Sequence, residues 1–329
     1  MQPFTYRRVD TVAGTRAALL EDPQARMIAG GTTLLDLVKA GVERPAVVID
    51  INHLPLAAIE VTPERVRIGA LARNSDVADD ATIAREFPVL AQALAAGASG
   101  QLRNMATVGG NLLQRTRCAY FRDNVSRCNK RVPGSGCDAR DGINRAHAVL
   151  GTSEACIAAH PSDMAVALAA LDATIVVRRE DGEVRFTFDA FYCLPENSPE
   201  RETVLEHGDV IVAVEIATAP HQRHSRYLKL RDRASYEFAL VSVAAGLGFA
   251  EDGTIARSSL ALGGLGTVPW RARDAERVLG GAASSPELFR RAADAALAGA
   301  VSTPQNAFKV ELGKRAIVRV LTTLAERLP

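Results

Sequence analysis

The chain has 329 residues, 47% hydrophobic and 23% charged, the balance of a globular protein long enough to bury a sizeable core in about two domains. Its 39 Lys and Arg nearly cancel 38 Asp and Glu, which gives no electrostatic reason to expect nucleic acid or an anionic membrane as partner. No apolar run approaches the ~20 residues of a membrane span, and the start, MQPFTYRRVD, has no signal-peptide core, so the chain is expected to carry no export address of its own.

In chain order, RMIAGGTTLLDLVKAG from Arg26 predicts a short strand, a Gly30-Gly31 turn with Thr32 and Thr33, and an amphipathic helix. PAVVIDI, residues 45–51, has the unbroken apolar character of a strand in a buried parallel sheet and completes a βαβ unit. A strand at Val66–Leu71 follows, then helices over Ser75–Ile83 and Phe87–Ala96, and a second glycine loop in QLRNMATVGGNLL. Residues 115–155 turn polar, basic and glycine-rich, as if shaped by something other than a core. Order returns at HPSDMAVAL, read as a Pro-started helix, then a strand, a turn at Glu180-Asp181-Gly182, and strands through VRFTF and VIVAVEI. YLKLRDRASYEFALVSVAAGLGF and RSSLALGGLG predict strands around one helix, and about fifty final residues predict helices, with a domain boundary near Arg223.

The chemistry sits in three places. A strand that runs into Gly30-Gly31-Thr32-Thr33 and then a helix offers unpaired N–H groups and two hydroxyls to a phosphate, although taken alone it also reads as a capped tight turn. Its spacing is neither the Rossmann GxGxxG nor the Walker GxxxxGK[ST]. Thr107-Val108-Gly109-Gly110-Asn111 repeats the diglycine logic. With Ser162-Asp163 at a helix start, the two loops point to one elongated ligand, the bland alternative for that pair being a helix cap.

The third place is the cysteines. Cys118, Cys128, Cys137 and Cys156 fall within the polar stretch at separations of ten, nine and nineteen, while Cys193 stands apart among aromatics and reads as packing. Soft thiolates without a close CxxC pair favour an iron-sulfur cluster slightly over zinc, with free buried cysteines as the bland alternative; His147 is a candidate to replace one thiolate, although a lone His more often reads as a surface or satisfied residue. Basic neighbours Arg115, Arg117, Arg122, Arg127, Lys130 and Arg131 suit thiolate charge, or equally a solvated loop or a docking face. With no Ser/His/Asp elbow, HExxH or paired carboxylates, redox chemistry is the better class than hydrolysis.

Taken in order, AGGTTLLDL, RNMATVGGNL, HPSDMAVAL and YLKLRDRASYEFALVSVA resemble, over essentially the whole chain, the FAD-binding subunit of the xanthine dehydrogenase and carbon monoxide dehydrogenase family. The resemblance implies an α+β fold: a two-lobed FAD-binding domain of the vanillyl-alcohol-oxidase (PCMH) type over 1–223, with lobes of about 1–55 and 56–223. A C-terminal domain of antiparallel sheet and helices over 224–329 would follow. It further implies that Ala29, Gly30, Gly31, Thr32, Thr33 and Leu34 cradle the FAD pyrophosphate and that Thr107, Gly110 and Asn111 continue along it. Ser162 and Asp163 would hold the ribityl or adenosine side, Ile211 would pack on the flavin, and Lys229 would reach it. The sequence departs from most of the family by inserting RTRCAYFRDNVSRCNKRVPGSGCDARDGINRAHAVLGTSEAC, about residues 115–156. In CAYFRD, CNKR and PGSGCDA this insertion resembles the 4Fe-4S loop of periplasmic aldehyde oxidoreductase FAD-binding subunits, and more loosely that of the 4-hydroxybenzoyl-CoA reductase flavin subunit.

The implied role is an electron-transfer subunit of a molybdenum hydroxylase, with no acid-base catalytic residue. Its cofactors would be FAD and a 4Fe-4S cluster, and its partners a large molybdopterin-binding subunit, a small 2Fe-2S subunit and an external electron acceptor. Export folded to the periplasm, on a signal carried by the small subunit, is the expected route, with the cytoplasm as the alternative. Two rival readings stand beside it: a stand-alone flavin oxidase, and a zinc-stapled binding module in which the glycine loops are only turns.

Overall fold

A computed structural model describes residues 2–326. The first lobe is a parallel sheet in the order β1-β3-β2, made of β1 (Thr5–Arg8), β2 (Arg26–Ile28) and β3 (Val47–Asp50), crossed by α1 (Val12–Leu20) and α2 (Leu34–Lys39). The predicted βαβ unit is β2-α2-β3, and β1 and α1, which sequence reading did not anticipate, extend it by a strand.

The second lobe is built on a five-stranded antiparallel sheet in the order β4-β5-β8-β6-β7, from β4 (Ile59–Val61), β5 (Arg65–Gly69), β6 (Thr174–Arg179), β7 (Gly182–Thr187) and β8 (Val210–Ala217). Between β5 and β6 run α3 (Asn74–Asp79), α4 (Ala81–Glu86), α5 (Pro88–Ala96), α6 (Gly100–Arg103), α7 (Val108–Leu112), α8 (Ala119–Arg122) and α9 (Asp163–Ala170). The short α10 (Phe188–Phe191) follows β7. The single helix expected over Ser75–Ile83 is two, because the Asp80 carboxylate turns back to accept from the N–H groups of Thr82 and Ile83, both at 2.9 Å, and so caps a new helix. Likewise the helix in HPSDMAVAL starts at Asp163 with Ser162 as its cap, and Pro161 lies outside it.

The C-terminal domain pairs β9 (Ser225–Leu230), β10 (Val241–Phe249), β11 (Ile255–Gly263) and β12 (Trp270–Arg271) in the order β12-β11-β10-β9, all antiparallel. Alternate residues Val241, Val243, Ala245 and Leu247 of β10 pack on α11 (Arg273–Leu279), α12 (Pro286–Ala296) and α13 (Phe308–Ala325), while Ala244 on the other face packs into the second lobe. The helix expected between these strands is absent. Residues 231–239 form a loop whose carbonyls at Ala234 and Tyr236 are taken by Arg231 and Arg233, with Tyr236 at a φ of 54°.

Helix α9 is the axis of the molecule. Every residue from Asp163 to Ala170 is buried, as befits a helix apolar all round, and it lies between the second-lobe core and the C-terminal sheet. The polar insertion is not wholly coreless, which corrects the expectation above. Val149 and Leu150 enter the C-terminal core, their N–H groups bonding Leu265 O, and the buried Lys309 ammonium donates to the carbonyls of Ala146, His147 and Gly264.

Candidate functional site

Two cavities of about 500 Å³ each meet along the glycine loops and share Thr32, Thr33, Gly110 and Gln114 as common wall, which makes one long slot with a waist. The waist exists because the two loops touch: a Cβ on Gly30 would stand 1.8 Å from Met105 O. Gly31, at a φ of 70°, turns the chain back into α2. At that turn, among the described residues, the N–H groups of Thr32 and Thr33 have no protein acceptor and line the slot. The second loop differs. Its amides are already bonded, Val108 N–H to Ala72 O, Gly109 N–H to Ala70 O and Gly110 N–H to Thr107 Oγ1, so it offers a close-approach surface of glycine rather than free donors.

The residues expected to grip the ligand divide between the halves. Ala29, Gly30, Gly31, Leu34, Thr107 and Ile211 line the half that lies between the two lobes, with Met27, Ile28, Leu71 and Val210. Asn111, Asp163 and Lys229 line the other half, between the second lobe and the C-terminal domain, together with Asn74, Arg117 and Phe238. Ile211 and Lys229, both expected at one ring, therefore face different halves. A bulge in the β6–β8 pairing, where Val176 opposes Ala213 but Val177 opposes Ile211, turns Ile211 to its half. Ser162 lines neither half. Its Oγ donates to Asn111 Oδ1 at 2.7 Å and accepts from Ala165 N–H at 3.0 Å, so it holds Asn111 in place.

The polar centre of the second half is Asp163. One carboxylate oxygen accepts from Tyr227 OH at 2.6 Å and the other from Lys229 Nζ at 2.7 Å, with Ala96 O a second acceptor for the ammonium at 3.2 Å. Lys229 is thus a nearly buried, paired cation, with 4% of its side chain exposed. Burial and the neighbouring Asp163 carboxylate push the Tyr227 phenol well above its ordinary range, so it remains a donor.

The four cysteines of the insertion converge. Cys118, Cys128, Cys137 and Cys156, all free thiols, line one small cavity with Thr116 and Phe121, and Cys128 and Cys137 oppose each other as a bridge pair. Burial, with the charges of Cys128 and Cys156 adding, pushes the Cys118 thiol up to about 12. Burial likewise raises Cys137 and Cys156, so a bound cation is what would favour the thiolate form of these three. Among the described residues, no three or more His, Cys, Asp or Glu side chains stand in the geometry of a metal site. His147 sits beside the thiols, Nε2 3.2 Å from Cys118 Sγ, and its Nδ1 has no partner. Burial pushes His147 down to about 4. Cys193, read as packing, is half-buried and lines the slot beside Tyr192.

The first half has a charged wall of Arg26, Glu43, Arg115, Lys130 and Glu202; the sequence marks Arg115 and Lys130 as basic neighbours of the cysteines but not as slot residues, and does not mark the other three. Burial would raise the Glu202 carboxyl, but Arg115 and Lys130 outweigh it and hold it below the usual range. Nothing in local periodicity marks such residues, because they come from strand β2 and from three separate loop segments.

Comparison with known proteins places these features. The family described as FAD binding domain in molybdopterin dehydrogenase matches residues 2–219, and that described as CO dehydrogenase flavoprotein C-terminal domain matches 226–324. The chain is 49% identical over 325 residues to the aldehyde oxidoreductase FAD-binding subunit PaoB of Escherichia coli (strain K12), covering 98% of both chains. It is 24% identical over 323 residues to the glyceraldehyde dehydrogenase medium chain of Sulfolobus acidocaldarius, covering 98% of this chain and 96% of that one. Among solved structures, quinoline 2-oxidoreductase from Pseudomonas putida 86 superposes with a TM-score of 0.76 at 25% identity, over 99% of this chain and 98% of that one. Carbon monoxide dehydrogenase from Hydrogenophaga pseudoflava gives 0.77 at 24%, over all of both chains. A chain matched end to end by these two domains belongs to the family of FAD-binding oxidoreductase subunits of the molybdopterin dehydrogenases.

Proposed function

We propose that this chain is the FAD- and 4Fe-4S-containing electron-transfer subunit of a molybdenum hydroxylase, and that the complex oxidises aldehydes. The observation that carries the reading is the slot pinched at Thr32, Thr33 and Gly110, with a cavity of four free thiols in the adjoining insertion. The waist suits the pyrophosphate, and the two halves suit the two ends of a dinucleotide. Lys229, a fixed cation in the half between second lobe and C-terminal domain, favours that half for the flavin, whose reduced form carries negative charge. Ile211 then lies along the adenosine end. Asp163 and Tyr227 hold Lys229 in position, and Asn111 is held by Ser162.

When bound, the flavin supplies the electron chemistry that links one-electron donors to a two-electron acceptor, and the protein positions it. Four free thiols around one cavity suit a cluster in which each sulfur has its own iron. Electrons would arrive from 2Fe-2S clusters of a small subunit, after substrate oxidation at a molybdopterin-binding large subunit. We further propose the division near residue 223 as the domain boundary, and co-export with a signal-bearing small subunit to the periplasm. The 49% identity over nearly the full chain supports the aldehyde substrate class.

Purified chain should contain one FAD and roughly four iron, with flavin bands over a broad iron-sulfur absorbance. Zinc in place of iron would remove the cluster. Aldehyde turnover by the isolated chain would favour a stand-alone oxidase, and a colourless chain would remove the flavin reading.

A further inference from the structure

We propose that the cysteine-bearing insertion is itself a wall of the dinucleotide site, and that Lys130 positions this wall against the adenylate half. The proposal deepens the flavin and cluster reading above and rests on it. Lys130 stands two residues after Cys128 and lines the same half of the slot as Arg115, Cys156 and His160. Its Nζ donates to Pro199 O at 2.8 Å and to Glu202 Oε1 at 2.9 Å, and 10% of its side chain is exposed. Glu202 also pairs with Arg115, which bonds Glu43 Oε1 at 2.8 Å, and Glu43 in turn pairs with Arg26 at 3.5 Å.

The chain of alternating charges Arg26-Glu43-Arg115-Glu202-Lys130 therefore crosses from first lobe to insertion to second lobe, and every member faces the slot. The insertion cannot loosen without breaking it. The loop around Lys130 is also held by Asn129, which donates to Ala155 O and accepts from Gly136 N–H, and by Arg131 on the carbonyls of Tyr120 and Phe121; binding at the four thiols of the adjoining cavity adds to this order and holds the wall in place.

The test uses the full chain and measures dissociation constants for FAD and for FMN, which lacks the adenylate, by flavin fluorescence, with iron counted in the same samples. Lys130→Met should keep its iron and bind FAD roughly tenfold more weakly while FMN affinity is unchanged, with Lys130→Arg restoring FAD. Cys128→Ser should lose iron and weaken FAD in the same selective way. Equal loss for FAD and FMN would mean general destabilisation and would overturn the positioning role. Wild-type FAD affinity in both variants would overturn the wall. An iron-free wild-type chain would sink the cluster reading separately, and Lys130→Met would still decide the wall.

Discussion

At Gly30 a methyl group has nowhere to go, since its carbon would stand 1.8 Å from a backbone carbonyl that cannot swing aside. Gly30→Ala must separate the two glycine loops, at a cost of about 1–3 kcal/mol or more. Urea unfolding should show the loss, and the purified variant should hold less FAD. A wild-type midpoint with full flavin would contradict the close approach. Lys229 tests the other half. Lys229→Met leaves Asp163 as a buried carboxylate with only Tyr227 as donor, and breaking such a pair costs about 3–5 kcal/mol. Lys229→Arg, which keeps the charge, should lose less. If Lys229→Met unfolds like wild type, the pair is not the anchor described here.

Among the elements, the insertion and the segment just after it hold two buried histidines that bear on acid stability. His160 and His147 are both pushed down to about 4 by burial. A folded value below the unfolded one, near 6.5, means that the unfolded chain binds more protons between those limits. Stability should therefore fall as pH drops from about 6.5 to 4 and level off below. His160→Gln should flatten that slope, and a slope unchanged by the substitution would assign it elsewhere. How far such elements could be read beforehand varies by element. The β2-turn-α2-β3 unit was legible because diglycine, threonine at the helix start and a continuous apolar strand are all local signals. The break at Asp80 and the missing helix at residues 231–239 were not, since both turn on side chains that bond backbone in preference to continuing a helix. Of the site, both glycine loops and Asp163 stand out in local motifs, whereas Lys229 comes only from the family resemblance. The bulge that turns Ile211 away from Lys229, and the partnership of Lys130 with Glu202, arise only when distant loops fold together.

Over the whole molecule, the insertion ties the parts together. It reaches the dinucleotide slot through Arg115 and Lys130, and the C-terminal domain through Val149, Leu150 and the carbonyls that Lys309 holds. Three structural units thus share one polar loop. Co-expression with a molybdopterin-binding chain and a 2Fe-2S chain should yield a complex that oxidises aldehydes, whereas the isolated chain should not turn them over. The most direct measurement is a crystal structure of the native, pigmented chain. FAD density should run through the Thr32, Thr33 and Gly110 waist with the flavin ring beside Lys229, and a four-iron cluster should sit among Cys118, Cys128, Cys137 and Cys156. A ring seated instead beside Ile211, or four cysteines coordinating nothing in a pigment-free crystal, would contradict this arrangement.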